Sequence, residues 1–330
     1  MKKPQASKRK GVRMISRRAK KTVATFTFVI TCSFAATTIG LPVPALAASP
    51  STLPAQIGVA MTSEPQTSMN FTWTTLDAVQ GPCLKVWQSN KRESTARVFA
   101  ATAEQRAVSR STITDEMGNP VLAKTFYAAE ATGLKANTTY SYRVGGEDAM
   151  SEVRTFTTAP KDNGKYTFLY FSDSQIRTPS SATGPNHSKS WQMNLEMAEA
   201  TVPQAEFIYI AGDLTDKAQY EDQWEGFFNQ TGNANYNQEF EGDLISNLPL
   251  AAAMGNHDSS AAGVGGMASH YLWDSDVAGV PVCYAFDYGA ARMIILNLEN
   301  AYSRDNVAAR VAQLQFLTKE VKEAKSKRSE

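Results

Sequence analysis

Three segments of this chain end an apolar run in side chains that can bind a cation or move a proton. Tyr166-Thr167-Phe168-Leu169-Tyr170-Phe171 leads into Ser172-Asp173-Ser174-Gln175. Phe207-Ile208-Tyr209-Ile210-Ala211 leads into Gly212-Asp213-Leu214-Thr215-Asp216. Pro249-Leu250-Ala251-Ala252-Ala253-Met254 leads into Gly255-Asn256-His257-Asp258. Asp173, Asp213 and Asn256 each bring an oxygen donor, roughly forty residues apart. A carboxylate set between two other donors suits a bridge across two cations, which two-metal hydrolases hold ~3.5–4 Å apart. Such cations polarise a phosphoryl group. His257, beside the amide, could then protonate a leaving oxygen or stabilise its charge, and Asp258 could orient the imidazole. Asp213 or Asn256 alone reads better as a helix or turn cap than as a metal ligand. Three such loops in order read as a metal site.

The elements that must position these loops follow from periodicity. Each apolar run reads as a buried strand. Between them lie helical patterns, Ser190 to Val202 and Ala218 to Asn229, the latter with Tyr220, Trp224, Phe227 and Phe228 as core. Strands alternating with helices imply a largely parallel, buried sheet whose loops gather at one edge. Val282 to Tyr288 and Arg292 to Leu298 read as a hairpin about Gly289. Val307 to Lys325 reads as a helix with Val307, Val311, Leu314, Leu317 and Val321 on its core face. Upstream, from Ala55 to about Pro160, the pattern is six or seven short alternating strands with polar turns, a β-sandwich. No titratable cluster stands out there, and a structural or interaction module is the default. Thr157 to Gly164 is polar with Pro and Gly and reads as a linker.

The 330 residues are enough for two domains. The net charge of +1 conceals an asymmetry, because the first 47 residues hold ten Lys and Arg and no acid. The remainder has 23 basic against 32 acidic residues, which argues against a nucleic-acid partner. The N-terminal stretch reads as a signal peptide: a basic region Lys2 to Lys21, an apolar region Thr22 to Leu41, and the cleavage site Ala45-Leu46-Ala47. Export to the medium or cell surface is expected, with no membrane span after cleavage. Cys83 and Cys283 then remain, read as two buried thiols, although export permits a disulfide.

The motif blocks resemble the calcineurin-like metallophosphoesterase family, whose pattern runs Asp-x-His, Gly-Asp-x-x-[Asp/Tyr], Gly-Asn-His-[Asp/Glu], a lone His, then Gly-His-x-His. Gly212-Asp213-Leu214-Thr215-Asp216 and Gly255-Asn256-His257-Asp258 match the second and third blocks. The preceding strands, with Phe71-Thr72-Trp73-Thr74-Thr75 and the run to Phe156-Thr157-Thr158-Ala159-Pro160, look like the N-terminal domain of purple acid phosphatases. Gly133 to Tyr140 resembles the turn and tyrosine of a fibronectin type III strand. The resemblance implies a multi-domain α+β chain. Residues 48–160 would form a fibronectin III-like β-sandwich, and residues 161–330 an αββα phosphoesterase domain with a dinuclear site. By match, Asp173 binds the first metal, Asp213 bridges, Asn256 binds the second, and His257 acts on the leaving group, hydrolysing phosphomonoesters by attack of a metal-held hydroxide.

Three features depart from that pattern. Gln175 stands where the family has His, so either it ligates as a hard oxygen donor or it does not ligate. Asp216 replaces the tyrosine of the purple centre and reads as a residue behind the ligands. The lone His and Gly-His-x-His are missing, and the sequence stops in the helix that precedes them, so the domain is expected to be incomplete and impaired. His187 is a substrate contact or a solvated loop histidine, and His270 a packing residue. The expected cofactors are two divalent ions (Mn, Mg, Zn or Fe), with a small phosphate ester as substrate. The competing expectation is a non-catalytic exported binding protein with a degenerate phosphoesterase domain.

Overall fold

A computed structural model describes residues 50–109, 122–147, 149–161, 165–177, 187–228, 244–259, 261–273, 275–299 and 306–327. The expected signal peptide, and residues 178–186 and 229–243 of two loops, lie outside them.

The N-terminal strands are β1 (Ala55–Ala60), β2 (Met69–Thr75), β3 (Cys83–Gln88), β4 (Arg97–Ala100), β5 (Thr102–Val108), β6 (Leu122–Ala131), β7 (Thr139–Gly145) and β8 (Arg154–Thr157). They form two facing antiparallel layers. One holds β5-β6-β2-β1 and the other β4-β3-β7-β8. Phe71 of β2 joins them, its ring 4.8 Å from Tyr142 and 5.2 Å from Phe156. The Tyr140 hydroxyl accepts a hydrogen bond from the Lys135 N–H at 2.8 Å, pinning the turn ahead of β7.

The alternation of β2 predicts one wet face, yet all seven of its residues are buried. Asn70 and Thr72 hydrogen-bond to the carbonyls of Leu272 and His270 at the end of helix α4 (Ala261–His270). The polar face of the sandwich is thus covered by the second half of the chain.

That second half supplies β9 (Phe168–Phe171), α1 (His187–Thr201), β10 (Phe207–Ile210), α2 (Glu221–Phe228), α3 (Leu244–Asn247) and β11 (Leu250–Ala252). The three strands are parallel, with β10 between the other two. They do not form a separate sheet. β1 pairs in parallel with β11 at Ala60 and Leu250, and the Met61 N–H donates to the Leu250 carbonyl at 3.0 Å. One seven-stranded sheet therefore runs β5-β6-β2-β1-β11-β10-β9 through both halves.

β12 (Tyr284–Tyr288) and β13 (Ala291–Ile295) form the expected hairpin, turning at Gly289 with φ +55°. Helix α5 (Val307–Lys327) packs on β13 with the face opposite to the one expected. Ala309, Gln313, Phe316 and Glu320 are buried, while Val307, Val311, Leu314 and Val321 are exposed. The cause is polar fastening. The Gln313 amide exchanges two hydrogen bonds with the Asn297 backbone (3.0 and 2.9 Å), and Glu320 accepts from Arg292 Nε at 2.9 Å. Cys83 and Cys283 are both free thiols. Among the described residues no helix is long and apolar enough to cross a membrane.

Candidate functional site

The loops after β9, β10 and β11 meet at one edge of the sheet, because strand pairing continues past the strand ends. The Ala211 N–H donates to Phe171 O and the Ala253 N–H to Ile210 O, both at 2.9 Å. Beyond them the Asp173 N–H donates to Gly212 O (3.2 Å) and the Gln175 N–H to Asp213 O (2.8 Å). Asp213 Oδ1 accepts from the His257 N–H at 2.9 Å, tying the second loop to the third. Asp213 follows the central strand, so its loop lies between those of Asp173 and Asn256. That is the position a bridging carboxylate needs.

Close approach of the loops depends on two glycines. A Cβ on Gly255 would stand 2.0 Å from Asp213 Oδ1, and one on Gly212 would stand 2.8 Å from the Gly255 nitrogen. Gly212 also has φ +97°. Asp173, Gln175 and Asp213 themselves adopt φ of +54°, +40° and +54°. For residues with a Cβ such conformations cost of order 1–3 kcal/mol and persist where the surroundings impose them. Three in one loop pair mark this edge as the specialised part of the sheet.

Asp258 does not orient His257. Its Oδ2 accepts from the Asp213 N–H (2.8 Å) and the Gly255 N–H (3.1 Å), turning back to brace the loops. Burial pushes its carboxyl up to about 6; the two N–H donors oppose this and the Asp213 charge adds to it. The group that holds the imidazole is Asp216. Its carbonyl oxygen lies 2.7 Å from His257 Nδ1 and its carboxylate 3.3 Å. Asp216 also pairs with Arg177 at 2.7 Å. Arg177 was not singled out from sequence, although its place two residues beyond Gln175 was the available signal. His187 opens α1, its Nδ1 3.3 Å from the Gln175 carbonyl. His270 is buried, stacked on Trp224 at 4.6 Å and 3.0 Å from Glu221.

The donor set tests what this edge could hold. Asp173, Gln175, Asp213 and Asn256 present oxygen, which fits a hard divalent cation better than a soft one. Among the described residues no three His, Cys, Asp or Glu side chains gather as a metal-holding group. The set suits oxygen coordination and is not an imidazole-rich centre.

A second polar cluster went unread in the sequence. Lys124 of β6 is buried beneath α2, with its Nζ 2.8 Å from Glu221, 2.9 Å from Glu225 and 3.0 Å from Gln56 Oε1. Burial would raise the Glu221 carboxyl, but His270 and Lys124 overcome this and hold it at about 2. The cluster lies where the sandwich meets the α2 and α4 layer.

Comparison with known proteins supplies the family. Residues 54–158 match the model of the purple acid phosphatase N-terminal domain, and residues 166–307 that of the calcineurin-like phosphoesterases. No curated protein matches the chain. Among solved structures, purple acid phosphatase PPD1 from seeds of yellow lupin (Lupinus luteus) superposes with TM-score 0.60 at 14% identity, over 82% of this chain and 48% of that one. A structure of PhoD superposes with TM-score 0.44 at 14% identity, over 74% of this chain and 52% of that one. The chain spans about half the length of these two proteins. It carries a purple acid phosphatase N-terminal domain followed by a calcineurin-like phosphoesterase domain, joined by a shared sheet.

Proposed function

We propose that this chain is an exported, metal-dependent phosphoesterase acting on small phosphate monoesters. The observation that carries this reading is the convergence of three loops from adjacent parallel strands, with Asp213 on the central one. Asp173, Gln175, Asp213 and Asn256 would hold two divalent ions, which supply positive charge against a phosphoryl group. The rest is done by the chain itself. A ring nitrogen 2.7 Å from a carbonyl oxygen must carry its hydrogen, so Nδ1 of His257 is the donor to Asp216. Nε2 is then the atom that gives a proton to, or hydrogen-bonds, the leaving oxygen. The Asp216 carboxylate also lies 3.3 Å from the ring, and Arg177 shares that carboxylate. Asp258 keeps the Asp213 and Asn256 loops in register. Export rests on the basic and then apolar first 47 residues.

The test is p-nitrophenyl phosphate hydrolysis by the purified chain, titrated with Mn²⁺, Mg²⁺, Zn²⁺ and Fe²⁺ beside Asp213→Ala. Metal-dependent turnover that the substitution abolishes supports the reading. One observation favours the second reading, a non-catalytic exported binding protein: the lack of a three-residue His, Cys, Asp or Glu group among the described residues. That reading expects no turnover and no rise in Tm on adding metal.

A further inference from the structure

Arg177 brings a fixed positive charge to the candidate site, and its place is set from the core side of its loop. Ile176 is buried, its N–H donates to Leu214 O at 3.3 Å, and its carbonyl accepts from the Asp216 N–H at 3.0 Å. The backbone ahead of Arg177 is therefore laid along the Asp213 to Asp216 loop, and Arg177 is the next residue out. Its side chain is 53% exposed, against 13% for Asp216. Among the described residues Asp216 is the partner of its guanidinium, through Nη2 at 2.7 Å. A guanidinium is a fork of several N–H donors with no acceptor, so the nitrogens that Asp216 does not take are open to a further anion. The sequence from 178 to 186 holds no ionisable side chain that would compete for them.

The position relative to His257 suits one kind of ligand. Asp216 Oδ1 lies 2.7 Å from Arg177 Nη2 and 3.3 Å from His257 Nδ1, so the two nitrogens are no more than about 6 Å apart. A phosphate group that accepts from Nε2 at one oxygen and from the guanidinium at another, through bonds of ~2.8 Å, needs up to about 8 Å between those nitrogens, which is the reach of the far side of the ring. The charge balance asks for the same group. Asp173, Asp213 and Asp216 lie on loops that meet at this edge, and a phosphate dianion meets like charge there unless cations offset it. Among the described residues, the contact of Arg177 with Asp216 is the one Lys or Arg ion pair that these loops make.

We infer that Arg177 is a substrate-binding residue, which donates to the non-bridging oxygens of the phosphoryl group while His257 faces the leaving oxygen. Asp216 holds both and sets the angle between them. The inference rests on the phosphoesterase reading above. Arg177 moves no proton and breaks no bond in this scheme.

The experiment titrates inorganic phosphate into the full chain by calorimetry, with Mg²⁺ present, for the parent, Arg177→Met, Arg177→Lys and Asp216→Asn. A hydrogen bond to a charged group changes affinity about ten- to a hundredfold, so Arg177→Met should weaken phosphate binding by at least about tenfold. Arg177→Lys keeps the charge without the fork and should fall between. Asp216→Asn separates binding from scaffolding, because it removes the carboxylate and leaves the 2.7 Å carbonyl contact that holds His257. With one anion fewer beside the guanidinium, phosphate should bind at least as tightly as in the parent. The half-exposed Arg177 contributes little to stability, so Arg177→Met should keep the parental Tm. In p-nitrophenyl phosphate turnover, Arg177→Met should raise KM about tenfold with little change in kcat, the mark of a contact made in ground and transition states alike. Three results overturn the inference: no phosphate binding by the parent, equal binding by parent and Arg177→Met, or an equal loss in a folded Asp216→Asn. If phosphate binds through Arg177 and no ester is hydrolysed, the assignment stands and the phosphoesterase reading fails. If esters are hydrolysed and Arg177→Met matches the parent in KM, the reading stands and the assignment fails.

Discussion

Replacing Lys124 by methionine removes the cation from beneath α2 and leaves Glu221 and Glu225 buried together. Both carboxylates lie within 3 Å of the lysine, and the side chains of all three are at most 5% exposed. Breaking a buried ion pair on one side costs about 3–5 kcal/mol. That is a large share of the roughly 5–15 kcal/mol that holds a domain together. The pH dependence is the sharper signature. With Lys124 present, Glu221 sits at about 2, below its unfolded value of 4.5. Its contribution is therefore complete above pH ~4.5 and is lost as pH falls toward 2. Without the lysine, Glu221 keeps its contact with His270 at 3.0 Å, but the two crowded carboxylates share one cation fewer, and the folded value of one carboxyl moves above its unfolded one. Stability of Lys124→Met then rises on acidification from pH 7 to 5, by up to ~3 kcal/mol for one proton taken up over two units. Urea denaturation at pH 7, 6 and 5, read by circular dichroism, measures both effects. The triple variant Lys124→Met, Glu221→Gln, Glu225→Gln removes every charge of the trio and should recover most of the loss. A deficit below about 1 kcal/mol, or variant and parent curves that stay parallel from pH 7 to 5, would refute the reasoning.

Gly255→Ala should cut metal-dependent turnover sharply and cost about 1–3 kcal/mol, since the new methyl falls 2.0 Å from Asp213 Oδ1; a crystal structure with Asp213 unmoved would contradict this. His257→Ala should slow hydrolysis of alkyl phosphates by about 10²–10⁴ and of p-nitrophenyl phosphate much less, because nitrophenolate leaves without a proton. Equal losses on both substrates would assign His257 another role. Cys283 is buried and its thiol is pushed up to about 11 by that burial, so a disulfide reagent at pH 8 should modify half-buried Cys83 first and Cys283 only in denaturant. Rapid modification of both under native conditions would count against the packing of α5 on β13.

The order of strand, polar residue and loop was legible because it is local. An apolar run ending in Gly and a polar residue describes its own strand end, as at Gly212-Asp213 and Gly255-Asn256. What alternation cannot show is which face another element covers. Lys124 reads as the outward residue of a two-sided strand, and α2 then closes over it. The same blindness put the valine stripe of α5 inside, whereas Gln313 and Glu320 decide the helix's rotation through partners on Asn297 and Arg292. β5 went unread because Thr-Ala-Glu-Gln-Arg-Ala-Val has no apolar alternation; it is a largely exposed edge strand held by backbone pairing to β6. Asp258 was misassigned for the opposite reason. Adjacency to His257 implied contact, but consecutive residues of a tight turn face different ways, and Asp258 bonds to the backbone of the neighbouring loop. Chemistry carried by residue type was readable; partnership set by packing was not.

The pairing of Ala60 with Leu250 has a consequence for how the protein is made. A ribosome adds about 5–20 residues each second, so the 190 residues between those positions take roughly 10–40 s to appear. Through that interval β1 has one neighbour, β2, and its other edge is an unsatisfied row of backbone donors and acceptors that can recruit a stranger. The N-terminal layers can collapse early, but they cannot be closed until β11 arrives. The nascent chain is thus most vulnerable to association in mid-synthesis. Holding β1 covered during that wait, by a chaperone or by slower initiation on each message, should raise yield without changing the stability of the finished molecule.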